Sequence, residues 1–437
     1  MDEYIKNIND KIYQNKQLII EAFVAFYGEN KRKFIEYKIN NMIFIPFVNN
    51  GKSVKNDDKT IEKLFNEYYE NVLNILSASN ARNIIDTLDK KTVQKLYLGD
   101  TQVVSLFSLA FSKRSYDTLK EPSDYPEYIE HYITLRMKFF NFLGFNVSKQ
   151  DCINIPDHLK KYILDADTMA QLDYSRFMFT IKAHGNVSSN EISRVSDIIN
   201  KHGIISPDLY EIFLTRSFSG EFVPIFINGD NDINKHSLIY LSIPIDYDFS
   251  TFDETLIHEI NHAIENYVFN ISSSNLSTIS GFSTINKNYG TTYNVINRYL
   301  NEIINDLIAQ DITKIMHDGG KYVLSSENNA IIKHSSYNIL SELIEPFYIM
   351  YKQDIIKSRQ NNNIEHIYNV VGLENFCDLS KLCSDYMKVF NTGNYKSYID
   401  LLSNPNNKKY VYLHDEFIKR RDEILENMKN YRNKITI

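Results

Sequence analysis

Apolar residues recur at three-to-four spacing over Tyr4–Tyr37, Lys59–Leu76, Thr101–Phe111 and Pro126–Phe142, which predicts a mainly helical first third. The run Met42–Val48 breaks that period and reads as a short strand, closed by the turn signal Asn49-Asn50-Gly51. In the middle of the chain, Glu221–Gly229 and His236–Ile245 are β-rich runs joined by a turn-rich connector. The helical period then returns. Ser250 or Thr251 is placed to cap a helix, and Asp253 and Glu254 suit the positive end of its dipole. Asn270–Asn294 is rich in Ser, Thr and Asn, lacks a helical period, and reads as a long loop bordering a cleft. From Val295 onward the chain is helical again, with breaks at 361–363 and Ser403–Lys409. The pattern predicts an α+β, predominantly helical protein with three regions: a helical 1–150, an α/β 151–294, and a helical lobe over 295–437.

Composition changes this picture little. Only 14 Gly and 9 Pro in 437 residues leave few punctuators, which favours long helices over hairpins. A formal net charge of −7 argues against a nucleic-acid partner. Cys152, Cys377 and Cys383 form no C-x-x-C pair, so neither a disulfide framework nor a thiolate zinc site is implied. The charged start MDEYIKNINDK lacks the apolar stretch of a signal peptide, and no apolar run approaches the ~18 residues of a membrane span. A cytoplasmic, reduced protein is expected, and export without a signal stays compatible with the chain.

The chemistry concentrates in TFDETLIHEINHAIE, Thr251–Glu265. Imidazoles four apart on a helix project from one face and can ligate one Zn2+, while the glutamate after the first histidine can reach a water in the open position. Composition alone gives about 0.02 such H-E-x-x-H matches in a chain with 11 His. Stepping ~100° per residue from Ile257 puts the apolar residues in one arc, with His258 and His262 opposite it and Glu259 between. The pair therefore faces solvent or a cleft, not the core stripe.

Zinc needs a third protein ligand. The pattern with a third histidine fails, because Glu265 stands where Gly should be and Val268 where His should be. Glu265 is itself poorly placed, two turns from His258. A later helix offers a carboxylate. In RYLNEIINDLIAQDI, Glu302 and Asp306 share a face beside Ala309 and away from the apolar stripe. With Glu302 as ligand, Asp306 becomes an acceptor that orients an imidazole through its other N–H.

HEINH at 258–262 followed by Asn301-Glu302-Ile303-Ile304-Asn305-Asp306 resembles the gluzincin zinc metallopeptidases, with their HExxH…NExxxD pattern. The resemblance spans roughly residues 220–312. It implies one zinc per chain held by His258, His262 and Glu302, Glu259 as general base, and Asp306 bonded to His258. It further implies a zincin-like core, in which a small mixed sheet offers an edge strand to substrate, and a mainly helical second lobe. The 40-residue interval from His262 to Glu302 exceeds that of thermolysin-type enzymes and is closer to those of clostridial-neurotoxin-type light chains and lethal-factor-type proteases. In thermolysin-like enzymes a Tyr ahead of the glutamate helix and a downstream His donate to the oxyanion. Tyr293 is the first candidate here, with His334 and Tyr337 next. The expected activity is zinc-dependent hydrolysis of peptide or protein substrates. The alternatives are a non-hydrolytic regulator on the same fold, or an intracellular toxin or effector protease with one protein substrate.

Overall fold

The computed structural model describes residues 2–49, 58–78, 144–162, 204–205, 220–227, 234–244, 252–271, 275–288, 291–318, 338–391 and 408–435, with single positions between 133 and 232. Over these residues the protein is α+β and mostly helical, with two small sheets. The expected helices at Thr101–Phe111 and, apart from single positions, Pro126–Phe142 lie outside the described residues.

The apolar period over Tyr4–Tyr37 resolves into three helices, not one: α1 (Asp2–Gln14), α2 (Lys16–Tyr27) and α3 (Arg32–Asn40). Gly28 explains the second break. Its φ of +101° is costly for any residue with a Cβ, so the helix ends there and a short 3-10 turn reverses the chain. The strand β1 (Met42–Asn49), the helix α4 (Asp58–Ala78) and two short helices, α5 (Lys149–Ile153) and α6 (Asp157–Lys160), follow. At α5, Ser148 and Asp151 form a reciprocal capping box.

The first sheet has the order β1-β4-β3-β2, formed with β2 (Ile204–Ile205), β3 (Gly220–Ile227) and β4 (His236–Pro244). It is mixed: β1 runs parallel to β4, and β3 antiparallel to it with Gly220 opposite Leu241. β2 covers only Phe226 and Ile227, so among the described residues the other side of β3 is open from Gly220 to Ile225. Pro46 lies in the edge strand β1, where a missing ladder donor is tolerated.

Behind this sheet lies α7 (Phe252–Glu265), the HEINH helix. Its apolar arc is buried as the period requires: Leu256, Ile257, Ile260 and Ala263 are fully buried. They meet Leu300, Ile303, Ile304 and Ile308 of α8 (Arg298–Asp318) in one core. At about 1.5–3 kcal/mol for each buried branched side chain, this packing holds the two helices side by side. Ala309 is also buried, which lets neighbouring backbone approach. The same core reaches α1–α3 and the C-terminal helices α9 (Asn338–Gln360), α10 (Ile364–Val371), α11 (Leu373–Asn391) and α12 (Lys408–Ile435). No described helix is long and apolar enough to cross a membrane.

The long loop expected over Asn270–Asn294 is not there. Between α7 and α8 the chain forms a second sheet, an antiparallel meander of β5 (Asn266–Ile271), β6 (Asn275–Ser280), β7 (Ser283–Asn288) and β8 (Thr291–Ile296). NLSTIS and STIN carry only Leu276, Ile279 and Ile285 as apolar residues, and Leu276 and Ile279, three apart, fall on opposite faces of the strand, so no period of two marks these segments among their Ser, Thr and Asn. Gly281 at φ +58° turns β6 into β7, with Ser280 paired directly to Ser283.

Candidate metal centre

α7 and α8 carry the candidate residues to one point. His258 Nε2 and His262 Nε2 are 3.1 Å apart, and Glu302 Oε2 lies 3.3 Å from the first and 3.1 Å from the second. A tetrahedral zinc with bonds of about 2.0–2.1 Å to nitrogen and oxygen has ligand–ligand edges of about 3.3 Å. The three donors therefore fit a single Zn2+. Among the described residues this is the one group of three His, Cys, Asp or Glu side chains that converge in this way.

The outer contacts fix which atoms point inward. His258 Nδ1 is 2.6 Å from Asp306 Oδ1, and a carboxylate only accepts, so Nδ1 carries the hydrogen and Nε2 presents its lone pair. His262 Nδ1 lies 3.3 Å from Ser280 Oγ, whose hydroxyl is 3.4 Å from the His262 carbonyl oxygen. With that hydroxyl donating to the carbonyl, Oγ accepts Nδ1–H, and His262 also turns a lone pair to the centre. Three lone-pair atoms this close repel one another unless a positive charge sits between them. Burial opposes a charge on His258, yet Asp306 and Glu302 outweigh it and hold its pKa well above the ordinary imidazole range. Burial alone would raise Glu302, but His262 and His258 hold it well below the usual carboxylate range.

The ligands are held on their backbone side by three asparagines. Asn305 Nδ2 donates 3.0 Å to the His258 carbonyl, Asn261 Nδ2 donates to Asn305 Oδ1, and Tyr27 Oη lies 2.7 Å from Asn261 Oδ1. Asn301, next to Glu302, accepts 2.8 Å from the Phe282 N–H at the β6–β7 turn. Glu302 is the most accessible ligand, with 23% of its side chain exposed against 12% and 10% for the histidines.

Glu259 is buried beside this cluster. Burial raises its carboxyl above the ordinary range, while His258, His262 and a backbone hydrogen bond from Phe222 pull it down. The strand β3 reaches this close because residue 220 is glycine. A Cβ there would lie 2.8 Å from Glu259 Cγ and 3.0 Å from Thr255 Cγ2. Glu259 thus lies between the three converging donors and the strand β3, whose other side is open from Gly220 to Ile225 among the described residues.

The structure thus brings together His258, His262, Glu302 and Asp306, with Glu259 alongside. The remaining candidates are not among the side chains it describes. Tyr293 falls on β8 and its side chain lies outside the described residues, as do His334 and Tyr337. Ser280, Asn261, Asn301, Asn305 and Tyr27 go unnoticed in the sequence. One signal for three of them was present: asparagine is a weak helix former, yet it stands at 261, 301 and 305 within two strongly apolar helices. Comparison of the chain with protein-family models, curated proteins and solved structures gives no match.

Proposed function

We propose that this protein is a zinc-dependent metallopeptidase with a zincin-like core. The observation that carries the reading is the triangle of lone-pair donors from His258, His262 and Glu302, with edges of 3.1–3.3 Å. These three side chains would hold the ion. When bound, zinc supplies a Lewis acid that lowers the pKa of a coordinated water toward ~7 and polarises a carbonyl.

The protein's own groups do the rest. Glu259 takes a proton from the attacking water and returns it to the leaving amine, a task its raised pKa suits. Asp306 and Ser280 keep the imidazoles in the ligating tautomer. An extended peptide suits the open edge of β3. In an antiparallel ladder alternate residues face outward. With the Phe222 N–H turned to Glu259, the outward set is Gly220, Phe222 and Pro224. Their carbonyls are available to substrate N–H groups, whereas the Phe222 donor is engaged and Pro224 has none. This edge therefore offers substrate mainly acceptors.

The test combines metal analysis with Glu259→Gln. Purified wild type should hold about one zinc per chain and cleave peptides from a degenerate library, and the variant should keep its zinc and lose cleavage. A chain without zinc after supplementation refutes the centre. Zinc without any cleavage points instead to a non-hydrolytic binding role.

A further inference from the structure

The buried Arg359 of α9 has no part in the chemistry above. Its side chain is 0% exposed, and its Nη2 is 2.8 Å from Glu265 Oε2 and 2.8 Å from Asn301 Oδ1. Phe282 packs against the guanidinium, with the ring centroid 5.2 Å from its carbon. Gly281 gives the group its space: a Cβ there would collide with Nη2 and lie 2.5 Å from Asn301 Oδ1. Glu265 also accepts from Tyr27 Oη at 2.8 Å.

These contacts close a circuit. It runs from Asn301 on α8 to Arg359, to Glu265 on α7, to Tyr27 on α2, whose one hydroxyl hydrogen lies between Glu265 Oε1 and Asn261 Oδ1 on α7, and from Asn261 back to Asn305 on α8. Asn261 and Glu265 are one turn apart, as are Asn301 and Asn305. The circuit therefore ties α7 to α8 at two levels. His262 lies between the two tied positions of α7, and Glu302 between the two of α8. A fully buried ion pair is weak as a source of stability, because desolvation offsets most of its attraction. Its placement has a geometric use instead.

We infer that Arg359 is a positioning residue for the metal centre, setting the separation of α7 and α8 so that Glu302 meets His262 at ligand distance. This rests on the zinc reading above and adds to it a residue 57 positions after the last ligand. With Arg359 gone, the Asn261–Asn305 tie still holds the His258 end of the site. The His262–Glu302 end loses its brace.

The experiment measures Zn2+ affinity by chelator competition and the visible spectrum of the Co2+-loaded full chain. The variants are Arg359→Met, Arg359→Lys and a cavity-forming control, Leu379→Ala, in the buried face of α11. Arg359→Met should weaken zinc by about 10–100-fold, as loss of outer support around a metal does, and should shift and weaken the Co2+ bands. Arg359→Lys should recover part of both, since one ammonium can serve both acceptors. Leu379→Ala should lower the melting temperature with affinity and spectrum unchanged. Wild-type affinity and spectrum in folded Arg359→Met overturn the inference, and so does an equal affinity loss in Leu379→Ala. If Arg359→Met does not fold, Asn301→Ala cuts the arm to α8 together with the contact to the Phe282 N–H and is judged by the same outcomes. A wild-type chain that binds no Zn2+ overturns both readings, whereas wild-type binding with an indifferent Arg359→Met removes this one alone.

Discussion

Asp306→Ala removes the partner of His258 and leaves every proposed zinc ligand in place. The contact is short, 2.6 Å, and only 5% of the Asp306 side chain is exposed, so water will not readily replace it. Two effects follow. First, the imidazole loses the acceptor that fixes its tautomer and raises its basicity, and outer-partner losses of this kind weaken metal by about 10–100-fold, or roughly 1.4–2.8 kcal/mol. Second, a buried N–H without an acceptor costs about 1–3 kcal/mol in the metal-free chain. The assay is competition for Zn2+ against a chromophoric chelator at one fixed neutral pH, paired with urea unfolding of the metal-free proteins. Asp306→Asn sharpens the result. If its amide nitrogen turns to Nδ1, the hydrogen moves to Nε2 and His258 stops being a ligand, so the isosteric change should weaken zinc at least as much as alanine. An Asp306→Ala protein that binds Zn2+ within twofold of wild type refutes the argument, because the short buried contact would then contribute nothing to the centre.

Three further outcomes are expected. Chelation of zinc should lower the unfolding free energy by about 4 kcal/mol relative to protein held at a thousandfold excess over Kd, and superimposable urea curves would contradict a site formed only in the native state. Gly220→Ala should retain zinc yet lose turnover, since the added Cβ meets Glu259 and not the ligands; undiminished kcat would show that β3 does not set the base. Lys38, buried with its ammonium 2.7 Å from the Asn234 carbonyl and 3.2 Å from that of Asn266, has its pKa pushed down from 10.5 to about 8 by burial. The native state thus binds this proton less tightly than the unfolded chain. The penalty is complete below pH 8 and disappears as pH rises toward 10.5, so wild type should gain about 3 kcal/mol on Lys38→Met between those limits in urea titrations.

How far the site could be read in advance depends on the range of the interactions. The spacing of His258 and His262 and the shared face of Glu302 and Asp306 are local properties of two helices, and a wheel finds them. So is the buried arc of Leu256, Ile257, Ile260 and Ile264, which the structure packs on α8. The meander escapes because strand pairing is decided between segments: β6 is recognisable only once β5 and β7 lie beside it. Arg359 escapes for a stronger reason. An arginine in a helix is ordinarily a surface residue, and nothing within α9 announces that Glu265, Asn301 and a glycine turn will enclose it. Tyr27 is one of 31 tyrosines and acquires its role only by meeting Asn261 across most of the chain.

The meander also bears on the order in which the molecule assembles. His258 and Glu302 are 44 residues apart, and among the described residues the strands between them pair with their sequence neighbours. The Tyr27–Asn261 contact spans 234 residues, and the longer closure costs roughly 1.5 kcal/mol more in chain entropy. The ligand helices can therefore meet as a local unit before the N-terminal helix docks on them. Zinc present during refolding should act on that early step, raising the folding rate, while substitutions at Tyr27 should chiefly raise the unfolding rate.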